Sequence, residues 1–175
     1  VSKGSAQSWG NKQQEEKINR INYYRSFAGA ERTACCAAAV TPNNSASVNN
    51  RNNVPVVDIV KPNVSGLSHN KFTDFNVGKE GLVFNNVVNG SDNSVLAGQI
   101  AANNNLNGTP AKIILNEVTG GNISRLAGMM EIAGTKADLI IANPNGIVGN
   151  GFGFINTNRA TLTTGTPIIN NNTLK

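Results

Sequence analysis

The chain has 175 residues and a formal net charge of +5, with 14% charged residues, 5% aromatic residues, 18 glycines and asparagine throughout. A mixture so poor in charge and bulk excludes a fold built on long helices and favours many short strands joined by Asn and Gly corners, in one domain with a modest core. The basic excess makes no nucleic-acid surface, since residues 1–40 hold six basic against three acidic side chains and the remainder nine against seven, spread singly. No apolar run reaches membrane-spanning length, so a soluble chain is expected. Cys35 and Cys36 are adjacent and poorly placed to bridge each other, and His69 is the single histidine. Neither a disulfide framework nor a zinc site is expected.

Residues 13–27 have the spacing of a short helix, with Ile18, Ile21, Tyr24 and Phe27 three apart. The small-residue run over 34–40 is similar to the end of an export signal, and residues 1–40 read as an extension with no assigned function. From Thr41 onward the composition turns to Asn, Ser and Thr. Apolar runs predict strands over 54–60, 82–88, 95–100, 111–118, 129–133, 139–142, 147–155 and 160–169, and residues 65–76 alternate loosely around Leu67, Phe72 and Phe75. The corners between them are Asn-rich: Lys61-Pro62-Asn63, Asn85-Asn86, Asn103-Asn104-Asn105-Leu106 and Asn143-Pro144-Asn145-Gly146. Pro144 fixes its own φ and biases Asn143 toward extended geometry, while Asn145 and Gly146 are both able to take positive φ. Stacked coils would place asparagines above one another, their amides bonding in ladders. Periodicity alone reaches only an all-β chain, solenoid or sandwich.

Three stretches carry a family resemblance. Residues 54–86 contain GLSHN, a spaced Phe, FNV, Gly and NN in order; Ile114-Leu115-Asn116-Glu117-Val118 reads ILNEV; and Asn143-Pro144-Asn145-Gly146-Ile147 reads NPNGI. Together they resemble the secretion domain of two-partner secretion exoproteins, namely filamentous haemagglutinins, haemolysins and contact-dependent growth-inhibition toxins. Two departures stand out. The family's NPNL tetrapeptide is Asn103-Asn104-Asn105-Leu106 here, so no proline locks φ at 104. Gly149 and Phe152 stand where haemolysin-type members often have a cysteine pair.

The resemblance implies a right-handed parallel β-helix with antiparallel capping strands at the N-terminal end. It implies a domain over 41–175, cut short at its C-terminal end, where an open stack edge invites association. It further implies secretion or surface display by a Gram-negative bacterium via the periplasm. There a dedicated outer-membrane β-barrel transporter would be the partner, and the domain would nucleate β-helix folding outside the cell. The motif residues Asn143, Pro144, Asn145, Gly146 and Ile147, with Asn103, Asn104, Asn105 and Leu106, are then either a structural corner or part of the transporter's recognition signal. A monomer is expected, with no cofactor, metal, nucleic acid or small-molecule substrate. The alternative is a stand-alone surface adhesin or haemolysin fragment.

No catalysis is expected. His69 with Asp74 nearby offers a base and an orienter, but no serine lies in a G-x-S-x-G setting. Glu117, Glu131 and Asp138 are isolated acids on predicted strands, expected to face outward or to bond corner amides. The N-x-S/T triplets at Asn63 and Asn122 follow from composition.

Overall fold

The computed structural model describes residues 39–175; the helix expected over 13–27 and most of the export-signal-like run lie outside them. Four rounds of chain wind into a three-faced coil. One face stacks β3 (Val54–Asp58), β5 (Leu82–Asn86), β10 (Met129–Gly134) and β13 (Gly153–Ile155) in parallel. A second stacks β4 (Leu67–Phe75), β8 (Ile113–Val118), β11 (Ala137–Ala142) and β14 (Thr157–Thr163), also in parallel. The third is narrow: Val77 bridges Leu126 of β9 (Ser124–Leu126), which pairs with β12 (Ile147–Gly149). Each strand returns one layer up after visiting the other faces. This is a right-handed parallel β-helix, the hand that parallel crossovers take.

Two strands run the other way. β1 (Val40–Pro42) pairs antiparallel with β4, and β2 (Ser47–Arg51) pairs antiparallel with β3. They cover the N-terminal edges of the two wide faces, as the resemblance implied.

The core lies between the two wide faces. Val57, Leu82, Phe84, Met130 and Ile132 from one face meet Phe72, Phe75, Ile114, Leu139 and Ile141 from the other, all at most 1% exposed. Phe75 stacks on Phe84 with ring centroids 6.3 Å apart, and Phe72 meets Phe75 edge-on at 5.2 Å. Close stacking also dictates small residues: a Cβ on Gly128 would run into the Gly78 carbonyl.

The first wide face is buried on its outer side too. The hairpin of β6 (Ser91–Ser94) and β7 (Gly98–Ala101) folds back over it, so Ala97 and Ile100 pack on Val54, Val56, Val83 and Ala133. That explains why β5 is buried at all five positions. On the outer side of the second face, the short C-terminal hairpin of β15 (Ile169–Asn170) and β16 (Thr173–Leu174) packs against Leu67, Leu115 and Ala142.

Several sequence expectations are corrected. Residues 95–97 are the turn of the β6–β7 hairpin rather than strand. The carboxylate of Glu131, 3% exposed, accepts from Ser94 Oγ at 2.7 Å, Val95 N at 2.7 Å and Leu96 N at 2.9 Å, folding the apolar run around itself. Residues 147–155 split at Asn150 into two strands on different faces, and β14 ends at Thr163. Asn145 does not take positive φ; Gly146 does, at +119°. Six other asparagines do so instead, Asn52, Asn53, Asn107, Asn156, Asn171 and Asn172, because a short polar side chain tolerates the left-handed region.

Among the described residues the expected amide ladders do not form. Asn70 and Asn116 stand in register on adjacent coils, yet each donates to a backbone carbonyl one layer up, Leu115 O and Ile140 O respectively, both at 3.3 Å. At the corners, carbonyls outside the strands such as Ile59 O, Ala111 O and Thr135 O likewise accept from Asn103 and Asn86, since buried carbonyls must be bonded. Asparagine amides serve that need here.

Candidate functional site

The motif Asn143-Pro144-Asn145-Gly146-Ile147 is the corner between β11 and β12. Asn143 is completely buried, and every polar atom of its side chain is engaged. Its Oδ1 accepts from the Asn145 amide at 2.9 Å, closing an Asx turn. Its Nδ2 donates to Asn122 O at 3.0 Å and to Ser124 Oγ at 2.9 Å, both on the coil below. On the backbone, Gly146 N donates to Asn143 O at 3.1 Å, and Asn143 N donates upward to Thr163 O at 2.9 Å. One asparagine thus bonds to three successive layers.

Asn145 holds the corner from outside. Its Nδ2 donates to Gly120 O at 2.7 Å and to Asn143 Oδ1 at 3.1 Å. Pro144 and Asn145 are exposed, Gly146 and Ile147 half-buried. Gly146 has the one φ in the corner that a side chain would strain, although the space above it is open enough for a Cβ, with Ile123 Cγ2 at 3.5 Å. Ile147 packs against the main core.

The other predicted corner repeats this geometry without its proline. Asn103 Oδ1 accepts from Asn105 N at 3.0 Å, and Leu106 N donates to Asn103 O at 3.1 Å. Asn103 Nδ2 donates to Ile59 O at 2.9 Å on the neighbouring layer and to Asn85 O at 3.0 Å on its own. Asn104 to Leu106 form a single 3-10 turn, and Asn103 is extended at φ −83°, ψ 108°. The missing proline therefore does not change the turn. Leu106 is buried in the core, whereas Asn104 and Asn105 are exposed. The two motif sites lie on different corners of the coil and do not converge on one pocket.

The corner predicted at Lys61-Pro62-Asn63, not singled out as a site in the sequence, is of the same kind. Asn63 Oδ1 accepts from Ser65 N at 2.9 Å and Leu67 N at 3.0 Å, while Gly66 N donates to Asn63 O at 2.9 Å. The signal was legible as Asn-x-Ser-Gly. The acceptors for Asn143, namely Asn122 O and Ser124 Oγ, carry no such signal, because stacking alone brings them near.

The weighed base and orienter come apart. His69 Nε2 lies 2.6 Å from Glu117 Oε2, a residue of the next coil that sits opposite Lys71 in register. Asp74 instead accepts from Asn122 Nδ2 at 2.8 Å. Asp138 meets Arg159 Nη2 at 2.8 Å on the surface. Among the described residues no three His, Cys, Asp or Glu side chains gather as a metal site, and no helix is long and apolar enough to cross a membrane.

Corner and coil together are matched by a family model, the TPS secretion domain, over residues 37–175. The chain belongs to the two-partner secretion (TPS) domain family. It is 52% identical over 146 residues to a tRNA nuclease CdiA of Escherichia coli strain STEC_O31, covering 82% of this chain and 4% of that protein. It is 51% identical over 120 residues to a hemolysin of Proteus mirabilis, covering 69% of this chain and 8% of that one. Among solved structures it superposes on the filamentous hemagglutinin secretion domain with a TM-score of 0.72 at 47% identity, covering 77% of this chain and 45% of that one. The TPS chain described here thus spans a small fraction of the curated relatives it matches. As a TPS secretion domain its role is secretion targeting rather than catalysis, its family works with a dedicated transporter partner, and its members are secreted or surface-exposed in Gram-negative bacteria.

Proposed function

We propose that this TPS domain is read in the periplasm, before it folds, by the periplasmic domains of its cognate outer-membrane barrel, and that Asn143, Asn145 and their neighbours serve recognition only in that unfolded state. The supporting observation is the burial of Asn143, whose side chain is fully enclosed and fully bonded once the coil closes. A transporter reading that amide must meet it earlier. Extended segments rich in strand residues would then dock by β-augmentation, backbone hydrogen bonds supplying affinity and alternate side chains specificity. Once through the barrel, closure of the Asn103 and Asn143 corners commits the coil and buries these two asparagines, which disfavours return. The domain acts as a monomer, and the activity of the parent exoprotein belongs to its other segments.

The test pairs secretion with binding. Residues 41–175 behind an export signal are expressed with and without the cognate transporter, and release into the medium is measured for the parent sequence and for Asn143→Ala and Asn145→Ala. Isolated periplasmic domains of the transporter are then titrated against the chain in urea and against the refolded chain. Transporter-dependent release, with binding confined to the unfolded chain and weakened by both substitutions, is expected. Equal binding to the folded chain would overturn the reading.

A further inference from the structure

The sequence contains four Asn-Gly dipeptides, Asn89-Gly90, Asn107-Gly108, Asn145-Gly146 and Asn150-Gly151. In such a pair the glycine backbone nitrogen is able to attack the Asn Cγ, since glycine has no side chain to obstruct the approach. The bond from Cγ to that nitrogen forms, the amide nitrogen leaves as ammonia with the displaced proton, and a five-membered succinimide results. Water then opens either carbonyl, giving aspartate or isoaspartate. Net, one asparagine and one water become one acid and one ammonia, with no oxidant or enzyme. The reaction needs a free carboxamide and a free glycine amide that can meet at bonding distance.

The fold sorts the four pairs by that requirement. Asn145 is locked: its carboxamide donates to Gly120 O and Asn143 Oδ1, and the Gly146 amide donates to Asn143 O. Asn107 is set apart by its backbone instead, left-handed at φ 48° and ψ 47°. Asn89 and Asn150 are exposed, lie outside the strands and avoid the left-handed region. Among the described residues their carboxamides have no hydrogen-bond partner, and the Gly90 and Gly151 amides have none in the turns and loops. The space beside Gly90 and Gly151 is open, with nothing within 4 Å of a notional Cβ. One pair lies at the root of the β6–β7 hairpin and the other at the corner between β12 and β13.

We propose that Asn89 and Asn150 are sites of spontaneous conversion to aspartate and isoaspartate, and that the closed corner withholds the same chemistry from Asn145. Each conversion adds one negative charge, so complete reaction lowers the net charge of +5 by two. An isoaspartyl link also adds a backbone methylene, at two corners that tolerate it and not at the motif.

The test incubates the full chain in mildly alkaline buffer at body temperature, in water enriched in heavy oxygen, with circular dichroism confirming that it stays folded. A parallel sample is held unfolded in urea. Peptide mapping by mass spectrometry then follows label uptake at each asparagine. Folded chain is expected to convert at Asn89 and Asn150, with Asn145 slower by about tenfold or more. In urea the four sites should converge. Conversion of Asn145 at the rate of Asn89 and Asn150 in folded chain overturns the proposal. So does an absence of conversion at Asn89 and Asn150 in folded chain when the unfolded chain reacts.

Discussion

Position 104 allows a direct reading of what proline contributes to a corner. Asn103 already has the extended φ and ψ that a following proline demands, and Asn104 opens a 3-10 turn whose φ suits the ring. Asn104→Pro should therefore raise stability by about 0.5–1 kcal/mol, by restricting the unfolded chain; urea melts with an unchanged slope would check it. At the motif the balance is different. Asn143→Ala removes four hydrogen bonds and leaves Asn145 N, Asn122 O and a buried Ser124 hydroxyl short of partners. A loss of about 2–3 kcal/mol is expected, read as a fall in the urea midpoint. The pentapeptide was legible in the sequence as a tight turn, because Pro and Gly announce one. That Asn143 bonds to three layers was not, since its partners at Asn122, Ser124 and Thr163 come close only through stacking.

Among the elements, the β6–β7 hairpin departs furthest from its sequence reading. Residues 95–100 are apolar enough to read as strand, yet 95–97 form a turn, in which Val95 and Leu96, with Ser94, bond a carboxylate from another coil. A buried carboxylate is tolerated when donors surround it, and only the fold supplies them. Glu131→Ala should free the hairpin tip and cost about 2 kcal/mol or more. Amide exchange over 94–101 should quicken well before that of β8 and β11, and uniform quickening would argue against a local role. The hairpin's contacts also account for the near-continuous apolar runs in β3 and β5: a strand covered on both faces needs no polar alternation.

For the whole molecule, the two ends of the coil differ. At the N-terminal end β1 and β2 cover the open edges of β4 and β3. At the other end β12, β13 and β14 each pair on one side only, and the inward-facing Leu162 is 37% exposed. Uncovered strand edges recruit further strands. Deleting residues 39–53 should expose a second sticky end and promote association, seen as larger species in sedimentation velocity at concentrations where the intact domain stays small. A monomeric, fully folded deletion variant would show that the first coil protects its own edge.

The sequence by itself determined the class of fold and the family. Short apolar runs, Asn and Gly corners, and three motif stretches in order are local signals, and each survives without knowledge of its neighbours. Tertiary structure alone decided what the asparagines bond, which runs become turns, and where the acids go. Asn70, Asn103, Asn143 and Glu131 all find partners far along the chain that winding brings within hydrogen-bond distance. In a solenoid the layer spacing is set by backbone pairing. A side chain's partner is therefore whatever stands one layer away, and no local pattern encodes that neighbour.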